Sequence, residues 1–535
     1  MTRVSPNLLR HGTAVAAGLL LALAFPGFEL AGLAWVAPGL MLAAAAGTTR
    51  GDAFRLGYLA GLTFWLASLY WLLLIPATGF PILGWLALAA YLALFQGVWV
   101  WLCWRCVPDG AEPTSANPLP AARIARLRWA LLCAVLWVAL EMLRSRLLSG
   151  FPWSLLGVSQ FPLTPLLQIS AVTGVYGVSF LVAWTSVSFF CAARQLLQPG
   201  VTRGTLAAET AVPLLVVAVV FATGYHTLTR PPGETRTLRV TVVQPAIPQT
   251  MIWDPSANEE RFARLLELTE RALTNETDLL LWPEAALPEL NEASYTALTN
   301  LAARHAVWFL FGADDAQLRP GATSETDVQF FNAAWLLSPR GLVVDVYHKR
   351  RLVIFGEYVP LARWLPFLKW LTPITGAFTP GRGPTQFPLR DLDLHAAPLI
   401  CFEDVFPHGV RGHVTNETSL LINLTNDGWF GDSAAQRQHA ANALFRAIEN
   451  GVPLVRACNN GLSCWVDERG RLREILRDER GGIHGPGFAT FTVELPAVAA
   501  RRPFYQRHGD VFGWACVVLG ALAVAKRTVR RKSQA

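Results

Sequence analysis

Apolar residues are concentrated in the first 230 positions of this chain and again near its end. Long uncharged runs of roughly 20 residues are what a helix needs to cross the hydrocarbon core of a bilayer. The first such run resembles a signal peptide, but no small-residue cleavage site follows it, so we interpret it as retained. The pattern predicts eight transmembrane helices, near residues 9–25, 30–47, 56–75, 80–104, 128–148, 168–193, 208–228 and 511–525.

Between the seventh and eighth spans the pattern becomes that of a soluble α/β domain. Short β-branched or apolar runs predict buried strands at residues 239–244, 278–282, 307–311, 332–337, 342–347, 397–400 and 420–424. Residues 258–273 and 434–450 instead have the apolar spacing of helices. This alternation predicts an α/β sandwich. We therefore expect a transmembrane domain at 1–229, an α/β domain at 230–505, and an eighth helix with a basic tail at 506–535.

The basic residues predict how the chain is oriented. With the amino terminus inside, the cytoplasmic segments hold fifteen Lys and Arg residues and the short outer loops only two, Arg144 and Arg146. Because basic residues near span ends stay on the cytoplasmic side, both termini should be cytoplasmic and the polar domain should lie outside. The net charge of +7 largely reflects these flanking residues and does not indicate nucleic-acid binding. At 53% hydrophobic and 16% charged residues, the composition excludes a single soluble domain.

Three reactive side chains follow three predicted strands. Glu284 and Lys349 each come two residues after a strand, and Cys401 comes directly after one. Active-site groups of open α/β sheets gather at the carboxyl ends of strands. A nucleophilic cysteine needs a base and a nearby cation. Glu284 can serve as that base, while Lys349 and the backbone amide of Phe402 can stabilise an oxyanion.

Each of these residues alone has a simpler interpretation. A cysteine after a strand usually packs in a core, a glutamate after Trp-Pro usually lies in a solvated turn, and a lysine before Arg-Arg is usually a surface charge. Their local contexts are nevertheless unusual: Trp-Pro-Glu-Ala at 282–285, Tyr-His-Lys at 347–349 followed by Phe-Gly-Glu-Tyr-Val-Pro at 355–360, and Cys-Phe-Glu at 401–403.

In order and flanks, these motifs resemble the carbon-nitrogen hydrolase (nitrilase) superfamily. Its members form an αββα sandwich and work through a thioester. Further motifs narrow the resemblance to its membrane family, the apolipoprotein N-acyltransferases. They are Gly150-Phe-Pro-Trp153, Ser159-Gln160, the run Val-Gln-Pro-Ala-Ile-Pro-Gln at 243–249, Asn-Asp-Gly-Trp-Phe-Gly at 426–431 and Asn-Asn-Gly at 459–461.

The resemblance covers essentially the whole chain and implies a reaction. A fatty acyl group would pass from a membrane phospholipid to Cys401, and then to the α-amine of a diacylglyceryl-cysteine on an apolipoprotein. Glu284 would be the base, Lys349 the oxyanion lysine and Cys401 the nucleophile. The implied partners are the phospholipid donor, the diacylglyceryl-modified apolipoprotein and the bilayer of a bacterial inner membrane, with no nucleic acid, metal or other cofactor.

The resemblance also implies supporting residues. Glu357 and Glu403 would orient Lys349 or the thiol, and Trp253, Asn332 and Trp429 would lie near the acyl or substrate pocket. The family often has Tyr after the nucleophile, whereas this chain has Phe402, which keeps the amide but loses a hydroxyl. Trp153, together with Phe151, either lines the entrance for acyl chains or anchors the protein at the membrane surface. Similarly, Glu141, Arg144 and Arg146 either meet lipid head groups or pair with one another.

Two other functions fit parts of the pattern. A membrane-tethered amidase of the same superfamily would share every catalytic residue, but eight spans are far more than tethering requires. A transporter or receptor with a degenerate binding domain would have ionisable residues inside its spans and would have lost the catalytic set. The chain has few such residues, and the set is intact.

Overall fold

The chain forms two compact units. The computed structural model describes residues 5–534 except 78–79, 109–118, 120–121, 198–202, 232, 253, 288–289, 322–323, 325–326, 363, 366–376 and 498–500. The first unit consists of Met1–Leu73, Ile82–Arg230 and Arg507–Ala535. The second consists of Leu74–Pro81 and Pro231–Gln506.

Helices make up most of the first unit, and both strands and helices build the second. The α-helices are α1 Pro6–Leu23, α2 Ala37–Ala44, α3 Arg50–Ser68, α4 Phe80–Arg105, α5 Arg123–Arg144, α6 Thr164–Leu167, α7 Ser170–Thr173, α8 Val175–Leu196, α9 Arg203–Thr229, α10 Gln249–Ile252, α11 Asn258–Ala272, α12 Glu292–His305, α13 Pro407–Arg411, α14 Ala435–Asn450, α15 Phe504–His508 and α16 Val511–Gln534. The strands are β1 Thr235–Gln244, β2 Leu279–Leu281, β3 Trp308–Leu318, β4 Val328–Leu337, β5 Val343–His348, β6 Phe387–Leu389, β7 Leu394–Ile400, β8 Thr418–Thr425, β9 Leu454–Cys458, β10 Cys464–Val466, β11 Leu472–Ile475 and β12 Gly487–Pro496.

The prediction of eight membrane spans is confirmed only in part. Within the described ranges, four helical stretches are long and apolar enough to cross a membrane: Pro81–Arg105, Val175–Leu196, Ala207–Thr229 and Val511–Arg530. Other predicted spans correspond to helices that are shorter or more charged. Helix α1 has 18 residues, and both α3 and α5 carry several ionisable side chains.

The predicted span at 30–47 is wrong as a single helix. A short 3₁₀ helix at Ala31–Trp35 is followed by α2, which begins at Ala37 with Pro38 in its first turn. Proline fits the start of a helix but not its interior, so it separates the two pieces. Gly39 then packs so closely that an added Cβ would lie 2.5 Å from the Ser186 carbonyl oxygen.

Polar side chains of α5 hold the irregular segment between α5 and α8. Glu141 Oε1 accepts from the Leu156 amide at 2.7 Å, and Arg144 Nη1 donates to the Trp153 carbonyl at 2.8 Å. Buried backbone groups outside helices and strands require such hydrogen-bond partners. The sequence analysis expected Glu141 and Arg144 to meet lipid head groups or to pair with each other, and it did not predict that they bind backbone groups. Arg146 instead pairs with Asp510.

Two six-stranded mixed sheets face each other in the second unit. Their strand orders are β12-β1-β2-β3-β4-β5 and β11-β10-β9-β8-β7-β6. Strand side chains alternate, so Leu279 and Leu281 enter the core between the sheets while Leu280 packs with α11 and α12. Helix α14 contacts β9 and β10 of the other sheet. The predicted αββα sandwich is therefore confirmed.

All seven strands expected from the sequence are present, as are the two expected helices, α11 and α14. The sequence prediction missed α12, the short helices α10, α13 and α15, and five strands, β6 and β9 to β12. Strand β9 was missed because the buried Arg456 interrupts its apolar pattern. Strands β11 and β12 are partly exposed and lack a continuous apolar run.

Candidate active site

Glu284 lies in a tight turn just after β2 and is 6% exposed. The turn packs directly on β3 at Gly312, where an added Cβ would lie 2.5 Å from the Pro283 carbonyl oxygen. Only a glycine permits this approach of two backbones. Glu284 Oε2 accepts a hydrogen bond from the backbone N–H of Asn426 at 3.0 Å. The carboxylate is thus held by a neighbouring loop.

Lys349 follows β5 directly and joins two carboxylates. Its Nζ donates to Glu284 Oε1 and Glu357 Oε1, both at 2.9 Å, and the residue is 1% exposed. Asn332 Nδ2 donates to the same two oxygens, both at 2.8 Å. Burial by itself would lower the pKa of Lys349, but the charges of Glu284 and Glu357 raise it well above its usual value. The lysine therefore remains an ammonium.

Cys401 lies at the end of β7, where a short 3₁₀ helix begins. Its φ of +52° belongs to the left-handed region, and Asn423 Nδ2 donates to its carbonyl oxygen at 3.1 Å. The residue keeps partial solvent access. Burial and the negative charge of Glu284 raise the pKa of its thiol well above the usual value, against the opposing effect of Lys349. The thiol therefore needs a proton acceptor to become a nucleophile.

Glu403 connects the 3₁₀ helix Cys401–Val405, here called the Cys401 turn, to the segment that carries Lys349. Its Oε1 accepts from the Tyr347 hydroxyl and the Arg350 amide, both at 2.8 Å. Its Oε2 accepts from the Ile400 amide at 2.9 Å. The Phe402 ring beside it lies edge-on to Phe406, with centroids 4.9 Å apart. Glu403 is thus placed to orient backbone on both sides of the site.

Two of the three tryptophans predicted to lie near the substrate are described by the structure, and they belong to different units of the chain. Trp429 lies on the short 3₁₀ helix Asp427–Phe430 and is partly exposed, three residues after the amide that binds Glu284. Trp253 lies outside the described residues. Trp153 belongs to the first unit, where it is 3% exposed and packs on Trp71 at 5.3 Å between ring centroids. A substrate contact by Trp153 stays a prediction.

Sequence reasoning missed Asp314. Its place on β3 is directly opposite Asn332 on β4. Burial, and then the charges of Glu284 and Glu357, raise its pKa to about 7. A carboxyl pair, Asp314-Asp315, in an otherwise apolar strand was the signal that could have revealed it. Among all the described residues, no group of three or more His, Cys, Asp and Glu side chains could hold a metal ion.

Asp314→Asn is expected to stabilise the protein more at pH 8 than at pH 5. The pKa of Asp314 is about 7 in the folded protein, well above the ordinary value of an aspartate. The folded protein therefore holds a proton that the unfolded chain loses between about pH 4 and pH 7. Stability therefore falls as pH rises through this window, by about 4 kcal/mol for a full shift of this size. Thermal midpoints in one detergent at the two pH values measure the effect.

The adjacent Asp315 supplies the control. It hydrogen-bonds His348 Nε2 at 2.7 Å, and although burial opposes the change, this bond lowers its pKa. Asp315→Asn should therefore not raise the thermal midpoint more at pH 8 than at pH 5. Equal effects of Asp314→Asn at both pH values would refute the assignment.

Comparison with known proteins agrees with this architecture. Residues 239–483 match the family model described as Carbon-nitrogen hydrolase, so the second unit has the fold of that class. Residues 17–188 match the apolipoprotein N-acyltransferase N-terminal domain. The chain belongs to the apolipoprotein N-acyltransferase family, because a member from Geobacter metallireducens is 36% identical over 97% of this chain and 95% of the relative.

Other similar proteins carry the same family name. A Brucella melitensis member is 31% identical over 93% of this chain and 89% of its own length. A Vibrio vulnificus member is 29% identical over 98% of both chains. Among solved structures, an amidase from Nesterenkonia sp. AN1 is 19% identical with a TM-score of 0.34, covering 51% of this chain and 96% of the amidase.

Proposed function

We propose that this protein transfers a fatty acyl group from a membrane phospholipid to the N-terminal amine of the diacylglyceryl-cysteine of apolipoproteins. Cys401 carries the acyl group between donor and acceptor as a thioester. The observation that carries the proposal is the buried Glu284–Lys349–Glu357 group beside the Cys401 turn, in a chain that belongs to this acyltransferase family. Its members' name supports lipoprotein N-acylation as the overall activity.

In the first half-reaction Glu284 takes the proton of the Cys401 thiol, and the thiolate attacks the ester carbonyl of the phospholipid. An ammonium has three N–H bonds. Two of those on Lys349 go to Glu284 and Glu357, so one remains for the oxyanion, alongside the Phe402 amide. Collapse of the intermediate breaks the ester C–O bond. The lysophospholipid leaves with the proton returned by Glu284, and the acyl group stays on sulfur.

In the second half-reaction the acceptor amine attacks the thioester carbonyl while Glu284 removes an amine proton. The same N–H donors stabilise the second oxyanion. The C–S bond then breaks, the thiolate regains a proton from Glu284, and the amide product leaves. One carboxylate thus acts as base and then as acid in both halves.

The remaining predictions on architecture are part of this proposal. Residues 1–229 and 506–535 form the membrane domain, and residues 230–505 form the catalytic domain on the periplasmic face of the bacterial inner membrane, with both termini cytoplasmic. The four long apolar helices and the excess of basic residues in the predicted cytoplasmic segments support this arrangement. Glu357, Asn332 and Glu403 orient the catalytic groups, and Trp253 and Trp429 lie near the acyl or substrate pocket. Trp153 either lines the entrance for acyl chains or anchors the protein at the membrane surface.

A stoichiometric acyl-enzyme is expected when the detergent-purified protein meets phospholipid without an acceptor. Parallel samples receive phospholipid labelled in the acyl chain or in the head group, and intact mass reports the adduct. One acyl group per chain, removed by hydroxylamine and absent from Cys401→Ala, is the expected result. No adduct on the folded wild-type protein would rule out phospholipid as donor. Release of free fatty acid without transfer to an added lipoprotein acceptor would indicate hydrolysis instead.

A further inference from the structure

Four charged side chains form a closed ring beneath the candidate site. His439 of α14 contacts Asp427 Oδ1 through Nδ1 at 2.7 Å and Asp404 Oδ1 through Nε2 at 2.8 Å. Arg456 of β9 contacts the other oxygens of the same two aspartates, Asp404 Oδ2 and Asp427 Oδ2. All four residues are at most 3% exposed. Each carboxylate therefore binds both cations.

The ring requires a protonated histidine. A neutral imidazole has one N–H donor, whereas here both ring nitrogens face a carboxylate oxygen. Burial would lower the pKa of His439, but Asp427 and Asp404 raise it to about 9. With an imidazolium, two positive and two negative charges balance, which is what buried ions need. Among the described residues, the other ionisable groups next to the ring are Cys401, Arg446, Cys458 and Cys464.

Those neighbours do not disturb the balance. Arg446 Nη2 donates to Glu449 Oε1 of the same helix at 2.9 Å. Burial raises the pKa of Cys458 and Cys464, so both thiols stay neutral.

The ring joins the two segments that build the reaction centre. Asp404 is the fourth residue of the 3₁₀ helix that starts at Cys401. Asp427 follows Asn426, whose amide binds Glu284, and starts the 3₁₀ helix that carries Trp429. Its Oδ1 also accepts from the Thr425 hydroxyl at 3.2 Å. The nucleophile and the base are thus connected through His439 and Arg456.

Helix α14 adds further contacts to both segments. Arg446 Nη1 donates to the Val405 carbonyl at 3.2 Å, at the end of the Cys401 turn. Gln436 Nε2 donates to the Asp427 carbonyl at 3.1 Å. One rigid helix therefore holds both loops, and His439 is its only described ionisable side chain that touches both aspartates of the ring.

We propose that His439 is a positioning residue that, as an imidazolium, fixes the Cys401 turn against the 426–430 loop and, together with Arg456, balances the charge of Asp404 and Asp427. The inference rests on the proposed role of Cys401. Loss of the imidazolium leaves an unbalanced negative charge close to Cys401, which already experiences the Asp427 charge. Formation of the thiolate then becomes harder, because a like charge disfavours the ionised form.

The test measures thiol chemistry without lipid. The full chain in detergent is alkylated with iodoacetamide over a range of pH, and intact mass gives the rate. Cys401 is the cysteine with partial exposure, while the other seven are buried, and Cys401→Ala identifies its signal. His439→Gln is expected to lower the rate at pH 7 by about tenfold or more and to shift the profile to higher pH.

Charge-changing variants separate electrostatics from loss of packing. Asp404→Asn alone should shift the profile to lower pH, and Asp404→Asn with His439→Gln should return it toward that of the wild type. His305→Gln, which removes a partly exposed His–carboxylate pair with Glu270 at the end of α12, should leave it unchanged. A merely structural role predicts no opposite shifts and no recovery in the double variant.

Two results would overturn the inference. One is a wild-type alkylation profile in His439→Gln, and the other is a double variant whose profile is no closer to that of the wild type than the profile of His439→Gln. If His439→Gln does not fold, the opposite shift of Asp404→Asn still decides the matter. Failure of the acyltransferase proposal is distinguishable, because the phospholipid adduct would then be missing while the alkylation shifts persist.

Discussion

Cys401→Ala is expected to reduce acyl transfer to a lipoprotein acceptor by roughly 10⁴–10⁶-fold, which is the loss that follows removal of a catalytic nucleophile. The reaction then lacks the sulfur that holds the acyl group, and no other described cysteine has comparable exposure. Alanine keeps the Cβ of the residue at φ +52°, so the thermal midpoint should change little. Initial rates of N-acylation and a thermal melt in the same detergent measure both effects.

Two variants control this result. Cys516→Ala removes a buried thiol of α16 and should retain activity. Cys401→Ser keeps the shape, but a hydroxyl is far less acidic than a thiol, so it should also be inactive. Activity above about one hundredth of wild type in Cys401→Ala would contradict a thioester, given the expected loss.

Lys349→Met is expected to inactivate the protein and to destabilise it. Removal of the oxyanion donor alone costs on the order of 10²–10³-fold in rate. In addition, Glu284 and Glu357 lose their shared cation while remaining buried. Breaking a buried ion pair by removing one partner costs about 3–5 kcal/mol.

A second substitution separates the two effects of Lys349→Met. Glu357→Gln in the Lys349→Met background removes one of the unpaired charges and should recover part of the thermal midpoint without recovering acyl transfer. Lys526→Met, at an exposed position of α16, should change neither quantity. If Lys349→Met kept wild-type stability and rate, the lysine would have no part in either the ion cluster or the chemistry.

Local sequence predicted the class of fold of the second unit and three candidate catalytic side chains. Seven strands and two helices of the catalytic unit were predictable because apolar periodicity reports directly which faces are buried. Glu284, Lys349 and Cys401 were candidates because each follows a predicted strand, where active-site groups of α/β sheets gather. The structure places β2 and β5 in one sheet and β7 in the other, so the approach of Cys401 to the other two was decided by the packing of the two sheets. The membrane spans were less predictable, since length and hydropathy do not report where a proline or close packing divides a helix, as at Pro38 and Gly39.

Tertiary structure decided the contacts among polar side chains distant in the chain. Asn332 bonds both Glu284 and Glu357, and Asp314 feels the charges of both, only because β3, β4 and the segment after β5 lie side by side. The ring of His439, Arg456, Asp404 and Asp427 draws on one helix, one strand and two loops. Only Asp427 lies in a motif that the sequence analysis singled out, and that motif does not show which residues it meets. A buried charge is stable only with a partner at a fixed distance, and that distance is set by packing of the sheets and helices, which local sequence does not encode.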